Sequence, residues 1–147
     1  MTGASCAMCG KFGQSGGLHI ADLAASRVFL HEDQFFPGYV LLVLRRHATE
    51  LYELSAPERR TLIEEVSRVA EALARVFRPV KMNYELLGNQ VPHIHWHLVP
   101  RLSTDPEPNA PIWRVDHPPA PLAAPAARER IDAIRRALAI SAPPPRA

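Results

Sequence analysis

The sequence predicts one folded domain in which strands gather around a single long helix. Three observations predict it. Short apolar runs of strand length lie on both sides of residues 55–78, and that stretch repeats its own apolar residues at three- and four-residue steps. The 147 residues suffice for one buried core and are too few for a second full domain.

In chain order, residues 1–17 are rich in Gly and Ser around Cys6 and Cys9 and read as an irregular segment; a mixed polar and apolar run follows over 18–25. Residues 27–31 form a strand candidate closed by Glu32, Asp33 and Gln34. Pro37 and Gly38 then turn the chain into residues 39–44, a nearly continuous apolar run that reads as a central strand. Ser55 and Glu58 have capping-box spacing, with Pro57 in the first turn where its missing N–H removes no helical bond. The helix that starts there places Leu62, Val66, Val69, Leu73, Val76 and Phe77 on one face and Arg59, Glu64, Arg68, Glu71 and Arg75 elsewhere, and Pro79 ends it. Residues 80–87 and 92–99 read as two more strands joined through Gly88, Asn89 and Gln90.

Beyond Arg101 the composition shifts to Pro and Ala. Residues 105–125 read as an extended surface segment, and 126–140 as a short helix with Ile131, Ile134 and Leu138 on the side expected to dock on a partner subunit. The expected division is a domain over 1–117 and a Pro/Ala-rich extension over 118–147.

Composition excludes several functions. An apolar share of 47% and a charged share of 22% are those of a globular protein, and no apolar run approaches the ~18 residues of a membrane span. The stretch from Met1 to Cys9 has no basic region followed by a long apolar core, so the sequence predicts no secretory signal and a cytoplasmic protein. The net charge of +2 comes from scattered basic residues, which argues against a nucleic-acid surface. Two cysteines are too few for a disulfide scaffold, and their C-x-x-C spacing suits redox chemistry or half of a zinc site.

The chemistry concentrates in "VPHIHWHLVPR", residues 91–101. Side chains alternate along a strand, so His93, His95 and His97 share one face while Ile94, Trp96 and Leu98 pack behind it. Successive imidazoles would then lie roughly 6.6 Å apart, too far to touch but placed to line an anionic substrate. One histidine would read as the polar face of a half-buried strand. Three in alternation suit nucleophilic attack on phosphorus, since neutral imidazole is a nucleophile and also donates hydrogen bonds. Metal binding is the rival, because H-x-H on a strand offers two ligands to one ion.

His93 to Val99 matches at every position the motif H-φ-H-φ-H-φ-φ, with φ apolar, and the sequence resembles the histidine triad superfamily of nucleotide hydrolases and transferases. The likeness extends over residues 27–115: "FFPGYVLLVLRRHATELYELSAPE" and "NYELLGNQVPHIHWHLVPR" are similar to the bacterial branch described as dinucleoside polyphosphate hydrolases. The resemblance implies an α+β fold, with an antiparallel sheet of about five strands, helices on one side and pairing into a homodimer.

It also implies residue roles. His95 would attack the α-phosphate to form a nucleotidyl-histidine, its other ring N–H held by a backbone carbonyl near His93. His97 would donate a hydrogen bond to a phosphate or departing oxygen, and Asn89 and Gln90 would approach the same phosphate, although Gly-Asn is also ordinary turn chemistry. Where the family has an acidic or amide residue on the ribose hydroxyls, this chain has His31, with Glu32 and Asp33 beside it. Tyr39 and Leu30 are candidates for the base pocket or for the core.

Related branches, including the galactose-phosphate uridylyltransferases, hold a structural zinc, and the resemblance places its ligands at Cys6, Cys9, His47 and His93. His93 would then be a strut for the strand bearing His95, with no metal needed for the chemical step. The alternative is free thiols and a histidine at a strand end. The implied activity is hydrolysis at the α-phosphate of dinucleoside polyphosphates or related nucleotide conjugates. A nucleotidyltransferase or phosphorylase with the same intermediate, a noncatalytic nucleotide-binding or zinc-organised module, and a metal-dependent hydrolase remain as alternatives. The expected partners are a nucleotide substrate and a second copy of the chain, with no nucleic acid and no membrane.

Overall fold

The computed structural model describes residues 6–11 and 17–140. In order these form α1 (Ala7–Lys11), β1 (His19–Asp22), β2 (Ser26–Leu30), β3 (Val40–Leu44), a 3₁₀ turn (Leu51–Glu53), α2 (Ala56–Phe77), β4 (Lys81–Glu85), β5 (His95–Arg101), a second 3₁₀ turn (Ile112–Arg114) and α3 (Ala124–Ile140). The strands make one five-stranded sheet in the order β1-β2-β3-β5-β4, antiparallel at every pairing.

Helix α2 begins where its sequence dictates. The Ser55 hydroxyl accepts from the Glu58 N–H at 3.4 Å, and the Glu58 carboxylate accepts from the Ser55 N–H at 2.8 Å, satisfying two donors the helix start would orphan. It ends at Arg78, which turns left-handed at φ 48° ahead of Pro79. Leu62, Val66, Val69 and Leu73 are buried with Val28, Leu30, Val40, Leu42 and Leu44 in the larger core, on the helical face of the sheet. Among them Glu65 is a buried acid; its carboxylate accepts from the Ala25 N–H at 2.9 Å and the Ser26 hydroxyl at 2.5 Å, and so ties α2 to the β1–β2 turn.

All five residues of β3 are buried. Leu42 and its alternates face the helices, while Leu41 and Val43 face a second core with Phe29, Phe36, Tyr39, Val99, Ile112, Cys6 and Met8. Gly38, at φ +84°, sits where a Cβ would collide with the Phe77 ring, so the turn into β3 requires glycine twice over.

Four expectations are corrected. The mixed run over 18–25 contains β1, whose four residues bury only Ile20 and so carry too little alternation to register as a strand. The amino-terminal segment contains the short helix α1. β5 starts at His95: Pro92 has no N–H for a ladder, and the His93 N–H turns back to the Val91 carbonyl at 2.8 Å. Helix α3 docks within its own chain, where Ala127, Ile131, Ile134 and Leu138 join the larger core against α2 and β1; its apolar face is therefore used inside the subunit.

The segment between β5 and α3 runs over the surface as expected, with two anchors. Arg101 is buried and donates to Asp105 at 3.0 Å, to Asn83 at 3.0 Å and to the carbonyls of Glu107 and Ala110. Ala120 exchanges backbone bonds with the Gln34 N–H and the Asp33 carboxylate, each 3.0 Å. No helix among the described residues is long and apolar enough to cross a membrane.

Candidate functional site

β5 lies between β3 and β4, so its side chains are delivered to the middle of the sheet. His95 pairs with Val43 and His97 with Leu41, which puts both imidazoles on the face opposite α2. Ile94 and Leu98 are buried in the helical-side core and Trp96 packs against it, as alternation requires. The two rings lean together to a centroid distance of 4.9 Å at 64°, closer than the backbone rise alone predicts.

The His95 Nδ1–H donates to the His93 carbonyl at 2.6 Å. A carbonyl only accepts, so Nδ1 carries a proton, and in the neutral tautomer this selects, the free lone pair is on Nε2. His95 is 5% exposed, its ring held from behind.

Tyr39, just before β3, places its hydroxyl 2.5 Å from His97 Nδ1. Burial, and then the negative charges of Glu85 and Asp33, raise the Tyr39 pKa and keep it a phenol. Burial, and then His95 and His31, lower the His97 pKa to about 4 and keep it neutral. The phenol therefore donates, Nδ1 accepts, and the His97 proton resides on Nε2. The Tyr39 ring stacks on His31 at 4.0 Å and 6°, so His31 reaches the site through Tyr39.

His93 stands just before the strand and is 1% exposed. Its Nε2–H donates to the Leu44 carbonyl at 2.8 Å, which leaves the Nδ1 lone pair aimed at Cys6 Sγ, 3.5 Å away, and Cys9 Sγ, 3.6 Å away. His47 Nδ1 is 3.7 Å from Cys9 Sγ, and all four ligand atoms lie within 4.8 Å of one another. Zinc bonded to sulfur at about 2.3 Å and nitrogen at about 2.0 Å separates them by about 3.5 Å at the tetrahedral angle. The four residues fit that ion in donor type and spacing, and His93 fits it in tautomer. Burial first, then Cys6, raises the Cys9 pKa, the direction expected of two thiols that share a site, and one that a bound cation would reverse.

The remaining candidates separate. Asn89 and Gln90 are exposed on the turn after Gly88 and make no hydrogen bond among the described residues. Leu30 is 2% exposed in the helical-side core. Two residues that sequence reasoning missed join the site. Trp113 sets its ring edge-on to His97 at 5.4 Å and 88°, and its indole N–H donates to the Glu85 carboxylate. Glu85 is the cross-strand partner of His97. Only the strand register could have found Glu85, and nothing in the Pro-rich segment marks Trp113.

A strand-borne histidine pair with its tautomers fixed, beside a Cys₂His₂ cluster on a five-stranded antiparallel sheet, defines a class that the comparisons identify. Residues 17–104 match the HIT domain, and the chain belongs to that family. A histidine triad protein from Bradyrhizobium japonicum shares its fold with a TM-score of 0.75 and 35% identity, covering 82% of this chain and 89% of that one. An asymmetrical bis(5′-nucleosyl)-tetraphosphatase from Schizosaccharomyces pombe is 29% identical over 85 residues, 54% of this chain and 47% of its own. An adenosine 5′-monophosphoramidase from the same organism is 28% identical over 83 residues, 56% of this chain and 62% of its own. The chain thus spans between 47% and 62% of these curated relatives.

Proposed function

We propose that the protein is a nucleotide hydrolase that cleaves at the α-phosphate of dinucleoside polyphosphates or related nucleotide conjugates through a nucleotidyl-His95 intermediate. The observation that carries this reading is the His95 Nδ1–H donated to the His93 carbonyl, which orients the ring and in its neutral form puts the free lone pair on Nε2. Relatives named as a tetraphosphatase and a monophosphoramidase support the reaction class.

In the first step the Nε2 lone pair forms a bond to phosphorus, and the departing group leaves with the electron pair of its own bond to phosphorus. The His97 Nε2–H donates a hydrogen bond to the departing atom or a phosphoryl oxygen, where negative charge develops. In the second step a water oxygen attacks phosphorus and the P–N bond breaks back to His95. The departing atom takes a proton from solvent as it leaves in the first step, and in the second the attacking water returns a proton to solvent and leaves its hydroxyl on the nucleoside monophosphate. Asn89 and Gln90 would meet the phosphate from the turn, and Tyr39 acts by fixing the His97 tautomer.

Cys6, Cys9, His47 and His93 would hold a structural zinc, which when bound supplies a cross-link between the amino-terminal segment and the strand that carries His95. The protein would work in the cytoplasm, where free thiols persist as ligands. It would pair with a second copy: Leu51, Ile63 and Tyr84 are exposed, and the Trp96 indole N–H is buried with no partner among the described residues.

Mass spectrometry tests the intermediate. Wild-type protein mixed with diadenosine tetraphosphate should gain the mass of one adenylyl group, and His95→Ala should not. Rapid hydrolysis by His95→Ala would overturn the reading.

A further inference from the structure

Tyr39, whose hydroxyl sets His97, lies in the turn between β2 and β3. The ladder of those strands ends at Leu30 and Val40, with one further bond from the His31 N–H to the Tyr39 carbonyl at 3.0 Å. Inside the turn a single side chain gathers the backbone. Gln34 is 5% exposed; its Nε2 donates to the His31 carbonyl at 2.9 Å and to the Tyr39 carbonyl at 2.8 Å, and its Oε1 accepts from the Gly38 N–H at 3.1 Å. The amide therefore grips the chain both before and after the Tyr39 Cα.

An amide oxygen has two lone pairs, and the second is taken by the carboxy-terminal helix. Arg130 on α3 donates its Nη1–H to Gln34 Oε1 at 2.8 Å. Guanidinium and backbone N–H groups only donate and carbonyls only accept, so these partners admit one orientation of the amide, with its oxygen towards Arg130 and its nitrogen towards His31 and Tyr39. Arg130 is half-buried, and burial lowers its pKa; its charge is poorly solvated and its bond to Gln34 is charge-assisted. The guanidinium also lies 5.8 Å from the centre of the Phe77 ring, the same ring that packs over Gly38. Upstream of α3 the chain meets this turn again, where His117 stacks on Phe35 at 3.8 Å and 8°.

We infer that Arg130 is a positioning residue for catalysis: through Gln34 it fixes the backbone at Tyr39, and with it the hydroxyl that selects the His97 tautomer. This rests on the proposed role of His97 in α-phosphate cleavage and extends that role to a helix on the opposite face of the sheet. Arg130 reaches His97 through Tyr39, which sets a ceiling. Losing Arg130 costs no more activity than losing the Tyr39 hydroxyl.

The experiment follows hydrolysis of diadenosine tetraphosphate by wild type, Arg130→Met, Arg130→Lys, Tyr39→Phe and the variant carrying both Tyr39→Phe and Arg130→Met. Arg130→Met keeps an unbranched apolar stem for Phe77 and loses every donor; kcat should fall roughly three- to tenfold with KM changed by less than about twofold. Arg130→Lys, which keeps a cation and a donor, should retain more activity than Arg130→Met. In the Tyr39→Phe background, Arg130→Met should change kcat by less than about twofold, because the hydroxyl it positions is gone. A merely structural role would lower kcat by the same factor in both backgrounds. That result, or a loss of less than about twofold in the wild-type background, overturns the inference. Arg130→Gln repeats the comparison should the methionine variant fail to fold.

Long-range ¹⁵N spectra of the His97 ring separate this inference from the reaction on which it rests. Arg130→Met should weaken the Nε2–H signal as the ring samples its other tautomer. If wild type turns over no nucleotide, yet Arg130→Met shifts the His97 tautomer, the hydrolase reading fails and the positioning role stands. Hydrolysis by wild type, with the His97 signals and kcat both unchanged in Arg130→Met, removes the positioning role and leaves the hydrolase reading in place.

Discussion

Tyr39→Phe removes one oxygen and tests how His97 is held. The ring that remains fills the same space, 5% exposed and stacked on His31, so packing is preserved while the 2.5 Å bond to His97 Nδ1 disappears. That nitrogen then has no donor and sits in a site dry enough to lower the pKa of its ring to about 4. Leaving a buried acceptor unsatisfied costs about 1–3 kcal/mol, part of which the ring recovers by moving its proton to Nδ1 or by turning. Either escape takes the N–H away from the phosphate. The structure therefore predicts a fall in kcat of about 10- to 100-fold, equivalent to about 1.4–2.7 kcal/mol, with KM changed much less. Steady-state kinetics supplies the split between kcat and KM, and long-range ¹⁵N spectra of the His97 ring supply the tautomer. A Tyr39→Phe enzyme with kcat within twofold of wild type and an unchanged Nε2–H signal would refute the reasoning.

His97 also predicts a pH dependence of stability. Its pKa is lowered from 6.5 to about 4 on folding, so below pH 6.5 the unfolded chain takes up a proton that the folded one refuses. Its contribution is fully present above pH 6.5 and is lost as the pH falls towards 4; urea midpoints at pH 7.5 and 5 should differ less in His97→Gln than in wild type. Freshly purified protein should contain one zinc per chain, and Cys6→Ser with Cys9→Ser should abolish it; substoichiometric metal would reject the site. Chelation should lower the melting temperature while the chemical step, which uses His95, continues in molecules that remain folded. Gly38→Ala forces both a left-handed backbone and a collision with Phe77, a loss of about 2–3 kcal/mol that should lower Tm by roughly 5–10 °C in calorimetry.

What the sequence made legible was local. The capping box at Ser55 and Glu58, the apolar stripe of α2 and the continuous run of β3 carry their structure in neighbouring residues, and each formed within a residue or two of its expected bounds. β1 escaped because a four-residue strand with one buried side chain has no period to detect. At the site, alternation alone put His95 and His97 on one face. The links that set their chemistry join residues far apart in the chain: Tyr39 to His97, 58 positions away, and Trp113 to Glu85, 28 positions away. No spacing rule connects such pairs. They follow from the β3–β5 and β4–β5 registers, and a shift of one residue would point Glu85 away from the site.

His93 shows why the metal cluster and the nucleophile belong to one design. Its ring and its carbonyl face two different tasks: Nδ1 points at the thiols, Nε2 is tied to the Leu44 carbonyl, and its own carbonyl oxygen holds the His95 N–H. Pro92 keeps this residue out of the sheet ladder, and the peptide that carries its carbonyl is held through the Ile94 N–H, which donates to the Ala48 carbonyl at 2.8 Å. The ring's attachments on either side, of which the Cys₂His₂ cluster is one, add to that restraint. The cluster therefore steadies the segment that leads into His95 without touching substrate, and the Ile94 bond to Ala48 keeps the His93 carbonyl aimed when the cluster is empty. That arrangement makes the residue just before the strand structural through its side chain and a support for catalysis through its backbone, two positions before the nucleophile.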